Sequence, residues 1–202
     1  MGVMTRETAG EPETYRASSA PWLTGFLVVL GLVMCFAGWG HTVAHHAGAV
    51  FGGLALAALG YALYWRPRLE VHADEVRVVN PLRTVSIPWS RIVDVRTRFA
   101  VTIATDQGAH SCAALRSGVD AVNRNHPIAR PGGAVRVGDL TSTASGAAAH
   151  RVRDTWQRKI ETGELDVFAR DAAPDPVRTR YAPGPLAAVV LLAAASAVLF
   201  TV

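Results

Sequence analysis

Hydrophobic and polar positions fall into two regimes along this chain. Three stretches, Trp22–Gly40, Ala47–Trp65 and Pro185–Val202, carry no charged residue. A helix rising ~1.5 Å per residue needs about 20 such residues to cross a ~30 Å hydrocarbon layer, so each run predicts a membrane-crossing helix. The third is slightly short and would need modest thinning of the bilayer. Between the second and third runs the period changes to two, which predicts half-buried strands.

Leu69, Val71 and Ala73 alternate with Glu70, His72 and Asp74, and Asp74–Glu75 then reads as a turn. A second strand through Val76–Val79 is stopped by Asn80-Pro81, because proline cannot donate to a ladder. The third places Val85, Ile87 and Trp89 on one face, ends near Pro88, and is followed by a short turn at Ser90. From Val93 to Thr105 every second residue (Val93, Val95, Thr97, Phe99, Val101, Ile103, Thr105) is expected on one face. That run exceeds an ordinary strand, so a bend near Phe99–Val101 is expected to divide it. Asp106-Gln107-Gly108 is a hairpin signal, and the last strand returns through residues 109–115.

Residues 116–146, rich in glycine, serine and alanine, read as a flexible insertion. A helix is predicted from about Ala147 to Thr162, with Val152, Trp156 and Ile160 four apart and Gly163 as its stop. Residues 1–20 are polar and acidic and read as a disordered tail, not a cleavable signal peptide. The division expected is a 1–20 cytoplasmic tail, a 21–65 transmembrane hairpin, a 66–165 β domain, a 166–184 linker and a 185–202 transmembrane helix. The fold class expected is therefore an α+β membrane protein, whose β barrel of about six to seven strands is closed by a C-terminal helix.

Charge adds an orientation. Residues 66–180 hold 18 of the 20 basic residues against 13 acidic ones, a formal +5, while His41–His46 has no Lys or Arg. Basic residues are retained on the cytoplasmic side. The N-terminus and the β domain are thus expected inside the plasma membrane, and the C-terminus outside.

Candidate chemistry is sparse. No nucleophile elbow, P-loop or dinucleotide fingerprint occurs, so no enzyme, cofactor or small-molecule substrate is indicated. His110 and Cys112 read as packing or edge residues. Cys35 and Cys112 occupy settings too different for a disulfide, and neither belongs to a metal-ligand pair. His41, His45 and His46 invite a metal reading, since His41 and His45 would share a helix face; a polar turn at the outer surface explains them equally. Arg83, Arg91, Arg96 and Arg98 lie close in sequence. Such a patch near anionic lipid gains ~1 kcal/mol per basic residue, and a solvated strand face is the plainer alternative. Nucleic-acid binding would need interleaved exposed aromatics, which are missing.

The strand order, with RPRLEVHADEVRVVN, then NPLRTVSIPWSRIVDV and the late DTWQRKIETGELD, resembles actinobacterial membrane proteins with a bacterial pleckstrin-homology (PH) domain, of the low-molecular-weight protein antigen type. Asn80-Pro81-Leu82-Arg83 and Ile87-Pro88-Trp89 with Ile92 carry the likeness most specifically, over roughly residues 66–165. The glycine frequent in that family's first hairpin is replaced by Asp74–Glu75, which would repel phosphate. The resemblance implies a PH-like fold and a membrane location but no established activity. The expectation is a non-enzymatic interaction or scaffolding module at the inner membrane face. Its partners would be the bilayer and an unknown membrane or cytoplasmic protein; electrostatic binding of anionic headgroups is the alternative.

Overall fold

The computed structural model describes residues 12–38, 42–97, 100–116, 143–165 and 175–201. Three of its helices are long and apolar enough to cross a membrane: α1 (Ala20–Ala37), α2 (Val43–Gly60, continued by a π turn Tyr61–Trp65) and a C-terminal helix, Gly184–Thr201. By length and composition they mark a membrane protein. Pro21 starts α1 and the Thr42 side chain caps α2, accepting from the His45 amide. Few of their side chains are covered by protein. Trp22 is 82% exposed, Phe36 69% and Leu191 70%, an apolar surface that lipid rather than water accommodates.

Helix α2 lies between the other two because small residues let backbones approach on two of its sides. A methyl group on Gly53 would lie 2.4 Å from the Gly31 carbonyl oxygen of α1. On another side, Gly48 and Gly52 make room for the C-terminal helix, whose Ser196 hydroxyl donates to the Gly48 carbonyl at 2.8 Å. Small residues and interhelical hydrogen bonds are how helices associate where no hydrophobic force separates protein from solvent.

The β domain is built from two antiparallel sheets. The first has the order β1 (Glu13–Tyr15), β2 (Arg68–Val71), β3 (Glu75–Val79), β4 (Arg83–Pro88) and β8 (Arg178–Tyr181). The second contains β5 (Ile92–Arg96), β6 (Ala100–Thr105) and β7 (Gly108–Arg116). A helix, α3 (Ala144–Glu161), closes the domain, and the C-terminal helix becomes α4. Leu69, Val76, Val78, Val85, Ile87, Ile92, Ile103, Leu115 and Val152 form one core between sheets and helix, each no more than 1% exposed.

The α+β architecture expected from the sequence is thus found, with several corrections. Six strands, β2–β7, lie in the expected domain, within the six to seven expected, and two more occur among the described residues. The additional ones come from the flanks. Glu13–Tyr15, expected in a disordered tail, pairs with β2, and Arg178–Tyr181, expected in a linker, pairs with β4. Both are too short to show a period, and their ladder bonds are made by backbone. The run from Val93 does not keep one phase either. A bulge between Ile92 and Asp94 leaves Val93 41% exposed, while Ile92 and Val95 both face the core. Strand β5 ends at Arg96 and β6 begins at Ala100, so the expected bend falls slightly earlier. The closing helix starts at Ala144, inside the expected insertion, because Thr143 caps it by accepting from the Gly146 amide. Gly163, at φ +74°, does stop it. The rest of the insertion, 117–142, lies outside the described residues, as do residues 1–11 and 166–174.

Candidate functional site

Both ends of the first sheet are defined by the helices. Strand β2 begins three residues after the α2 π turn, β1 leads into α1, and β8 leads into α4. Registers Tyr15↔Leu69, Arg68↔Val79, Val79↔Thr84 and Arg83↔Tyr181 therefore collect at the end nearest the helices. Arg66 locks that end. Its guanidinium donates to the Asn80 carbonyl at 3.3 Å, to the Pro81 carbonyl and to the Ala182 carbonyl at 3.4 Å. One side chain thus joins the exit of α2, the β3–β4 turn and the approach to α4. The Ala182 amide also donates to the Leu82 carbonyl at 2.9 Å. Asn80 ties the same turn to the second sheet, donating from Nδ2 to Ser111 O at 2.9 Å and accepting from the Ala113 amide at 2.8 Å. Arg16 stacks over the Trp65 ring at 5.0 Å.

Across the outer face of this sheet, Thr14, Glu70, Arg77, Ser86 and Arg178 stand in one register row. Glu70 is only 7% exposed. Arg68 Nε lies 2.5 Å from its carboxylate, His72 Nε2 3.2 Å and Arg77 Nη1 3.7 Å. Burial pushes the Glu70 pKa up, but hydrogen bonds from Arg68 and His72 and the charges of Arg68 and Arg77 outweigh it. The net shift is downward, so Glu70 is ionised near neutrality. Sequence reading assigned Glu70 only to the polar side of its strand. The available signal was two arginines and a histidine, Arg68, Arg77 and His72, brought round one acid by i±2 spacing and the next strand.

An open cleft of about 410 Å³ lies beside this cluster, walled by Glu75 and Arg77 of β3, Ser86 and Pro88 of β4, and Asp175, Pro176 and Arg178 before and within β8. It occupies the end of the sheet farthest from the helices, since Glu75 pairs with Pro88 and β4 begins at the helix end with Arg83. Five steps of ~3.3 Å separate Arg83 from Pro88, about 17 Å. The cleft's cations are engaged with acids: Arg77 with Glu75 at 2.6 Å and Arg178 with Asp175 at 3.5 Å. Ser86 donates to Glu75 at 3.2 Å.

Of the four arginines singled out in the sequence, the three among the described residues are distributed rather than gathered. Arg83 is exposed at the helix end. Arg91 is half-buried at the opposite end of β4, 2.7 Å from Asp106 and donating to Asp175 O at 3.2 Å. Arg96 lies on the second sheet, 2.8 Å from Asp94. Arg98 is outside the described residues. Of the histidines, His41 is likewise outside. His45 Nδ1 lies 2.7 Å from Thr42 Oγ1, and its ring meets Phe200 of α4 edge-on at 5.8 Å. Among the described residues no three His, Cys, Asp or Glu side chains come together as a metal site. Burial pushes the Cys112 thiol up to about 11, so near neutrality it is not a thiolate nucleophile. Burial, with the Arg83 charge beside it, lowers the His110 pKa.

Residues 66–151 match the model of a protein family described as a bacterial PH domain. No curated protein and no solved structure gives a significant match. The matched segment is thus similar to a bacterial PH domain, and it lies between helices of membrane-crossing length. Its two edge strands, β1 and β8, come from outside the matched segment.

Proposed function

We propose that this chain is a non-enzymatic integral membrane protein whose PH domain holds a protein partner at the cytoplasmic face. Its residues 66–165 resemble those of the actinobacterial antigen-type proteins, and the match of 66–151 to a bacterial PH domain supports that reading. The hairpin α1–α2 and the final helix α4 cross the plasma membrane, leaving the N-terminus and domain inside and the C-terminus outside. The pairing of β1 with β2 supports this, because strands before α1 and after α2 must share one side. The basic excess of residues 66–180 supports that side being cytoplasmic.

The observation carrying the partner reading is the polar cleft at the far end of the sheet. It lies about 17 Å along the sheet from the end beside the helices. Its acids Glu75 and Asp175 oppose a phosphate and suit a polypeptide bearing both charges. Engagement of Arg91 and Arg96 by acids likewise weakens the alternative of a broad arginine face on lipid. A photocrosslinking residue at Ser86 or Arg178 of the full-length protein, in native membranes, is expected to yield a discrete protein adduct that an Asp175→Arg exchange abolishes. Adducts with lipid alone, or none, would refute the reading.

A further inference from the structure

We infer that the β3–β4 turn is a foot set into the lipid interface, with Leu82 at the boundary between headgroups and acyl chains and Arg83 and Arg180 on anionic lipid phosphates. This goes beyond the partner reading and rests on the helices crossing a bilayer. Helix α4 has 18 residues, Gly184–Thr201. The last charged residue before it is Arg180 and the uncharged helix begins at Gly184, so on the spanning reading Gly184 marks the hydrocarbon edge. Ala182 precedes Gly184 by two residues, at most ~7 Å of chain. Its amide is hydrogen-bonded to the Leu82 carbonyl at 2.9 Å. Headgroup layers are ~5–8 Å thick. The backbone therefore keeps the Leu82 carbonyl within about 10 Å of the hydrocarbon edge, in or directly beside that layer.

The side chains there match the location. Leu82 is 52% exposed at the tip of a turn, and Tyr181, opposite Arg83, is 73% exposed. Trp65, 41% exposed, closes the exit of α2. Aromatic rings and cations in one layer are the composition of a membrane boundary. Neither Arg83 nor Arg180 has an acid partner among the described residues, in contrast to Arg68, Arg77, Arg91, Arg96 and Arg178. The Arg66 clamp holds the turn rigid relative to the helices, so the foot needs no rearrangement to seat. The turn between β2 and β3, at the opposite end and bearing Asp74 and Glu75, faces away from the lipid.

The experiment places a fluorescent unnatural amino acid at position 82, 74 or 29 of the full-length protein in nanodiscs, with and without 30% anionic phospholipid. Position 82 is expected to show blue-shifted emission and at least twofold stronger quenching by lipids spin-labelled near the headgroup than position 74. Position 29, within α1, is expected to be quenched by deep labels. Omitting anionic lipid, or introducing Arg83→Glu with Arg180→Glu, is expected to reduce quenching at 82 by half or more. Quenching at 82 by aqueous iodide to the level of position 74 would overturn the foot, as would shielding from both quenchers, which would mean a protein contact. Insensitivity to lipid charge and to the arginine exchange would overturn the headgroup assignment. Loss of lipid quenching at 29 as well would bring down the spanning reading itself, whereas quenching at 29 without quenching at 82 overturns the foot alone.

Discussion

Replacing Glu70 by Gln tests the electrostatics of the outer sheet face most directly. The exchange keeps the volume but removes the one negative charge beside Arg68, His72 and Arg77 and turns one of two acceptor oxygens into a donor. Removing one partner of a fully buried pair costs roughly 3–5 kcal/mol. Here the side chains of Arg68 and Arg77 are 30% and 39% exposed, and Arg77 keeps Glu75 at 2.6 Å. Water and Glu75 take up much of the freed charge, so the expected loss is about 1–2 kcal/mol. The pH dependence follows from the direction of the shift. A carboxylate lowered on folding stabilises fully above its ordinary value, 4.5, and that contribution is lost as pH falls through the lower folded value. Glu13, also lowered mainly through its Arg151 bonds, is present in both proteins and cancels from the difference. The assay is urea unfolding of full-length protein in detergent, followed by tryptophan fluorescence; Trp89 reports locally, because its indole donates to His72 O at 3.2 Å. The gap between wild type and Glu70→Gln should be full at pH 7 and close steadily below pH 4.5. A gap under about 0.3 kcal/mol at pH 7, or one unchanged at pH 3.5, would refute the reasoning.

Two further outcomes are expected. Gly53→Leu should separate α1 from α2, since its Cβ would meet the Gly31 carbonyl oxygen at 2.4 Å, and overpacking costs about 1–3 kcal/mol. Thermal unfolding in detergent should fall by several degrees, while Gly25→Leu, with open space around it, should leave it unchanged. Asn80→Ala should cost about 0.5–1.5 kcal/mol by removing its exposed bonds to Ser111 O and the Ala113 amide, and hydrogen exchange at Ala113 should quicken with it.

How much was legible in the sequence divides along a physical line. Apolar runs without charge announce their length and solvent wherever they sit, so α1, α2 and α4 could be read directly. Alternation named Leu69 and Val71 of β2 and Val85 and Ile87 of β4 as inward, and Gly163 named the end of α3. The phase failed at Val93 because a bulge is one residue of backbone geometry with no compositional mark. The arginine group failed for another reason: nearness in sequence is not nearness in space when strands reverse, and Arg83 and Arg91 end at opposite ends of β4. Glu70 was passed over because Arg77 joins Arg68 and His72 around it only once β2 and β3 pair.

By itself, then, the chain's pattern determined that helices of membrane-crossing length bracket a β domain, since burial preference and period are local properties of each segment. The tertiary structure alone decided what joins them. Strands of three and four residues at either flank complete the sheet through backbone hydrogen bonds, which are nearly blind to side-chain identity. Arg66 reaches carbonyls 14, 15 and 116 residues away, and only the folded path of the chain brings those within one guanidinium's span. That junction sets which turn meets the helices' end and which cleft is left open at the other.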